Sequence, residues 1–132
     1  MTSPPGATVD NFDWRISMAT VAEDGPFSVF DGIDRTLSVL SGEGITLRVA
    51  GHAPTTLRRE TPPYGFPADR ETHATLVSGP IIDLNVMTLR GRFSHAVTPI
   101  RLDAARTHVA TADTTILFFN NAANVSSSDV NL

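Results

Sequence analysis

The spacing of apolar residues restricts this chain more than any other feature. No segment holds the ~3.6-residue apolar repeat of a helix for long. The best stretch, Asp103 to Thr107, is too short to be a helix of consequence. Short runs instead alternate with a period of two. In Trp14 to Val21, Trp14, Ile16 and Met18 point one way, and Arg15, Ser17 and Ala19 the other. Thr36 to Leu40 and Ile45 to Val49 alternate in the same manner and flank Ser41-Gly42-Glu43-Gly44, so they are expected to form a β-hairpin. Further strands are expected at Thr55 to Arg58, Ala74 to Val77, Ile81 to Met87, His108 to Thr111 and Thr115 to Phe119. Nine glycines and nine prolines punctuate these runs. Turn signals spaced about 8–12 residues apart point to an all-β sandwich or barrel. Residues 1–10 and 120–132 read as a disordered N-terminal tail and a flexible C-terminal tail, leaving 11–119 as one β domain.

Composition then removes whole chemistries. The 132 residues include no cysteine, which excludes disulfides, thiolate metal sites and cysteine nucleophiles. All ten cationic side chains are arginine, which excludes lysine Schiff bases and a phosphate-loop lysine. Fourteen acids give a formal charge of -4, so a dominant basic face for nucleic acid is not expected. No run reaches the about 18 apolar residues of a membrane helix. Residues 1–10 lack the basic start and apolar stretch of a signal peptide, so the expected location is cytoplasmic.

Metal and nucleophile motifs are weak. The histidines at 52, 73, 95 and 108 show no H-x-H or H-x-x-x-H pairing. Gly65, five residues, then Glu71-Thr72-His73 is similar to the first cupin metal motif, but Glu71 stands where its first histidine belongs. Glu71 and His73 on one solvent face of a strand is the simpler reading. No Gly-x-Ser-x-Gly elbow or phosphate-binding glycine loop is present. What remains are polar residues inside core-like strands. Asp83, Asn85 and Met87 share one face of an apolar strand, and Arg15 and Ser17 pose the same question on the first strand. Such groups either face solvent or line a polar interior. Asp34-Arg35 reads as an ion pair or part of a ligand clamp.

Several strings, in order, resemble the HutD/Ves family. They are Phe12-Asp13-Trp14-Arg15-Ile16-Ser17, Asp24-Gly25-Pro26-Phe27-Ser28, Gly32-Ile33-Asp34-Arg35-Thr36-Leu37, Tyr64-Gly65-Phe66-Pro67-Ala68-Asp69 and Gly79-Pro80-Ile81-Ile82-Asp83-Leu84-Asn85-Val86-Met87. The resemblance implies a cupin-like (RmlC-like) barrel, a double-stranded β-helix or jelly roll, incomplete here relative to the family's two-cupin form. It implies a tie to histidine utilisation through binding of a pathway intermediate. It implies no catalytic metal, and no cofactor is expected. This chain has Asp31 where the family usually carries proline before the glycine, and its start does not match the family's upstream Pro-Trp-Lys-Asn-Gly-Gly-Gly-like segment. A missing strand there would open the pocket or expose an edge.

The combined reading is a non-catalytic binder of a small carboxylate or imidazole compound. Its expected site is Arg15, Ser17, Asp34, Arg35, Phe66, Asp83, Asn85 and Met87, with no catalytic or metal residue; Trp14 is either further apolar wall or, more simply, a core anchor. Arginine forks suit carboxylates, while Asn and Asp read donors and acceptors. The alternatives are a metal-dependent cupin enzyme, of dioxygenase or isomerase type, using His73, and a structural module that forms a homodimer through a strand edge.

Overall fold

The computed structural model describes residues 1–120. The described residues hold nine strands: β1 (Thr2–Ser3), β2 (Trp14–Val21), β3 (Gly25–Pro26), β4 (Ile33–Ser41), β5 (Ile45–Val49), β6 (Thr55–Leu57), β7 (Tyr64–Pro67), β8 (Thr72–Leu76) and β9 (Ile81–Leu89). They form two antiparallel sheets. Sheet A has the order β1-β2-β9-β4-β7 and sheet B the order β3-β8-β5-β6. The chain therefore passes back and forth between sheets, as in a double-sheet jelly roll. The sheets share no ladder among the described residues, so the sandwich is not a closed barrel.

The expected hairpin is a correction. β4 and β5 both form, but β4 pairs with β9 and β7 while β5 pairs with β6 and β8. The Gly42–Gly44 turn is a corner between sheets. Both glycines have positive φ, 97° and 127°. A Cβ on Gly42 would lie 2.5 Å from the Pro80 carbonyl oxygen, so the corner is packed against the start of β9. Alternation and a glycine turn are compatible with either outcome; which sheet buries each strand decides it.

Two further expectations change. The N-terminal segment, expected to be disordered, carries β1, paired with β2 at Thr2–Arg15 and Ser3–Trp14. Residues 101–120 contain no strand, although two were expected there. Every side chain of that segment is exposed, so its alternation serves no buried face. Residues 121–132, most of the expected flexible tail, lie outside the described residues.

The inner faces of the sheets meet in an apolar cluster of Leu37, Val39, Ile45, Leu47, Val49, Leu57, Phe66, Ala74 and Ile81. A second cluster, Phe12, Ile33, Ala68 and Met87, lies at the other end of sheet A. Each buried leucine or isoleucine contributes roughly 1.5–3 kcal/mol relative to exposure. Inward residues along β4 run Ile33, Arg35, Leu37, Val39, and along β9 they run Ile81, Asp83, Asn85, Met87. The ends of each series belong to the apolar clusters. Arg35, Asp83 and Asn85 occupy the gap between them.

Candidate functional site

Register builds the site. In sheet A, Arg15 and Arg35 both lie opposite Met87, Ser17 and Leu37 opposite Asn85, and Ala19 and Val39 opposite Asp83. Directly paired residues project to the same face, so these side chains form one inward patch. An open cavity of about 520 Å³ lies over it. Arg15, Ser17 and Ala19 form one wall, and Arg35, Asn85 and Met87 the floor. Residues 20–28 and Phe30 complete the lining.

The floor is wired. The guanidinium of Arg35 donates from Nε (2.9 Å) and Nη2 (2.5 Å) to Asn85 Oδ1. Asn85 Nδ2 donates to Asp83 Oδ1 at 2.6 Å. An arginine has donors only, so Asn85 must turn its oxygen toward Arg35 and its amide nitrogen toward Asp83. The guanidinium carbon also lies 4.8 Å from the Phe27 ring centroid and 5.7 Å from that of Phe66. Phe66 sits opposite Arg35 on β7 and stacks on Tyr64 at 5.5 Å.

Burial shapes the charges. Arg35 is 9% exposed, Asn85 2% and Asp83 1%. Desolvation pushes the Arg35 pKa down to about 10; Asp83 opposes the shift and Arg15 adds to it. Desolvation likewise raises the Asp83 pKa, against the hydrogen bond from Asn85, the charge of Arg35 and the backbone amide of Ala19. Asp83 Oδ2 is the one buried side-chain polar atom without a hydrogen-bond partner among the described residues. Arg35 Nη1 and the Arg15 guanidinium also have no hydrogen-bond or ion-pair partner there, and both residues border the cavity.

Of the expected site residues, Arg15, Ser17, Arg35, Asn85 and Met87 line the cavity. Asp83 stands behind Asn85, and Phe66 lies beside the Arg35 guanidinium. Asp34 is placed elsewhere: its neighbour Arg35 points inward, so Asp34 projects outward, where it pairs with Arg90 at 2.8 Å. Asp34 and Arg35 therefore make neither an ion pair nor a joint clamp. Trp14 also lies on the outer face and borders no part of the cavity, since its neighbour Arg15 points in. Sequence reasoning missed Phe27, Phe30 and the 20–28 segment. Only the Gly25-Pro26-Phe27-Ser28 string hinted at them.

The outer face of sheet A has its own polar cluster. Arg90 donates to Asp34 and to Asp69, each at 2.8 Å in its closest contact. The hydrogen bond from Arg90 holds the Asp69 carboxyl below the usual range. His95, on the segment after β9, bridges Thr36 Oγ1 through Nε2 and Thr88 Oγ1 through Nδ1, each at 2.7 Å. Desolvation lowers the His95 pKa, with Asp34 opposing. On sheet B, Glu71 and His73 line a shallow cleft with Arg48 and His52, and all four side chains are exposed. No three His, Asp or Glu side chains converge as metal ligands among the described residues.

The two facing antiparallel sheets and the pocket between strand walls define an all-β, cupin-like protein. The HutD family model matches residues 1–131, and the chain belongs to that family. Protein Ves from Citrobacter koseri is 40% identical over 89 residues, covering 67% of this chain and 46% of that protein. HutD from Pseudomonas fluorescens SBW25 superposes with a TM-score of 0.59 at 34% identity, over 67% of this chain and 47% of that one. A conserved protein of unknown function from Pseudomonas aeruginosa PAO1 gives a TM-score of 0.61 at 42% identity, over 65% and 45%. The chain spans about half the length of these relatives. No helix among the described residues is long and apolar enough to cross a membrane.

Proposed function

We propose that this chain is a non-catalytic binding protein that holds a small carboxylate or imidazole compound in the cavity of sheet A. The observation that carries the reading is the pair of arginines on that cavity. Arg35 is fixed by Asn85 and two phenyl rings yet keeps Nη1 free of partners among the described residues, and Arg15 stands across Met87 from it. Two guanidinium groups with unused donors, in a partly desolvated cleft, suit a carboxylate better than a neutral ligand. Phe27, Phe30 and Met87 offer apolar wall for the rest of a small molecule.

The family's name ties its members to histidine utilisation, and the proposed ligand is accordingly an intermediate of histidine breakdown whose binding limits pathway output. Isothermal titration with urocanate, formylglutamate and histidine tests this. At least one should bind, and Arg15→Ala or Asn85→Ala should raise its Kd by at least about tenfold, the weight of one charge-assisted hydrogen bond. No heat with any of the three would remove the reading.

A further inference from the structure

Resting on that reading, we propose that Asp83 is a proton-linked counter-charge to Arg35, so that a carboxylate ligand binds with uptake of a proton on Asp83 Oδ2. The relay Asp83–Asn85–Arg35 places a carboxylate one amide away from the cation that would meet the ligand. The ligand itself would not touch Asp83, which does not border the cavity.

The two oxygens of Asp83 have different jobs. Oδ1 accepts the Asn85 amide and must remain an acceptor, or Asn85 would turn and present its amide nitrogen to a guanidinium that cannot accept. Oδ2 is sealed from solvent and makes no hydrogen bond of ordinary geometry among the described residues, the Ala19 backbone amide being a near neighbour of the carboxyl. A proton on Oδ2 therefore leaves the whole relay in place and removes one buried negative charge. Without a ligand, ionised Asp83 balances Arg35 through Asn85. A bound carboxylate takes over that role at Arg35, and Asp83 becomes a second anion on the same cation. Two anions sharing a desolvated site favour protonation of one of them. The solvent proton goes to Oδ2, no bond within the ligand changes, and the net charge of the interior is conserved.

The other charged groups that face this site from the packed elements are arginines or exposed carboxylates. The only charged inward residue on β4 is Arg35, and on β2 it is Arg15. The facing sheet buries Ile45, Leu47, Val49, Thr72 and Ala74, none of which titrates. Glu23 and Asp24 lie at the cavity lining, on the loop after β2. The burial that raises the Asp83 pKa in the free protein agrees with this assignment.

The test is calorimetric titration of the full chain with acetate, in buffers of different ionisation heat, across acidic to neutral pH. The account expects net proton uptake and an affinity that rises as pH falls, by at most about tenfold per pH unit, the limit for one linked proton. Asp83→Asn copies the protonated carboxyl in shape; it should bind acetate several-fold more tightly and lose the pH slope, whereas Glu71→Gln, exposed on sheet B outside this cavity, should keep it. Carboxyl-carbon NMR of the unmodified chain reads the same proton without any substitution, and Asp83 should titrate at higher pH when acetate is present. Acetate binding without proton uptake, or an unshifted Asp83 signal, would overturn the proposal and leave the binding reading standing. Weaker binding in a folded Asp83→Asn variant would also overturn it, by making Asp83 a positioning residue only. No acetate binding at any pH would remove the anion-binding reading and this proposal together.

Discussion

Sheet A sets two arginines in opposite circumstances on its two sides. Beside the outer face, Arg90 is 43% exposed at its side chain and meets two carboxylates, Asp34 and Asp69. On the inner face, Arg35 is 9% exposed and meets an amide, two phenyl rings and, among the described residues, no carboxylate within ion-pair distance. The exposed cation is paired on several of its donors where water already screens it, so the pairing does little more than tie Asp69 and Asp34 to the end of β9. The buried cation has lost most of its hydration and has been given incomplete compensation. Burial thus separates a structural cluster from one with capacity left for a ligand. The contrast arises within one dipeptide, since Asp34 and Arg35 point to opposite faces of β4.

The largest break in this comparison should come from Arg35→Met. It leaves Asp83 and Asn85 buried without their cation, and chemical denaturation should show a loss of about 3 kcal/mol, the scale for removing one partner of a buried charged set. Carboxylate binding should vanish with it. A smaller effect should follow His95→Ala, which strips a hydrogen bond from both Thr36 and Thr88; thermal or denaturant melts should register about 1 kcal/mol.

Acid should separate the two faces further. Asp83 is raised in the fold, so the folded chain binds its proton more readily than the unfolded chain does. Its contribution to stability therefore grows as pH falls through that raised value toward the ordinary aspartate value, and is lost as pH rises again. Asp83→Asn should flatten this part of a stability–pH curve. His95 is lowered, so its contribution has the opposite sense: present above the ordinary histidine value and lost as pH falls through its depressed one. The smallest effect should be that of Arg90→Ala, a slight fall in the melting midpoint that disappears in high salt. A large, salt-resistant loss would mean that the outer cluster carries stability its exposure does not suggest.

How far the fold was legible depended on what each strand had to satisfy. β2 and β9 alternate over eight and nine residues and stand out in the sequence. β7, only Tyr64-Gly65-Phe66-Pro67, is too short and too rich in glycine and proline to show as a strand. The Gly42–Gly44 turn was visible, but a local signal is silent on whether the next strand pairs backward or crosses to another sheet. At the site, the shared face of Asp83, Asn85 and Met87 was plain from their spacing. That this face turns inward was not, because period two is the same on either side of a sheet. Arg15 and Ser17 carried the same ambiguity, resolved only by their register with Met87 and Asn85. Phe27 was hidden for another reason: its place beside Arg35 is a long-range packing contact that no local pattern encodes.

The central claim is that Arg35 is a pre-set anchor for a carboxylate. Its Nε–H resonance, already held by Asn85, reports on that anchor directly in a titration with acetate. The Arg35 Nε–H signal should shift saturably with acetate while that of Arg90 changes little. A shift confined to Arg90 and other exposed arginines, with Arg35 unmoved through millimolar acetate, would contradict it.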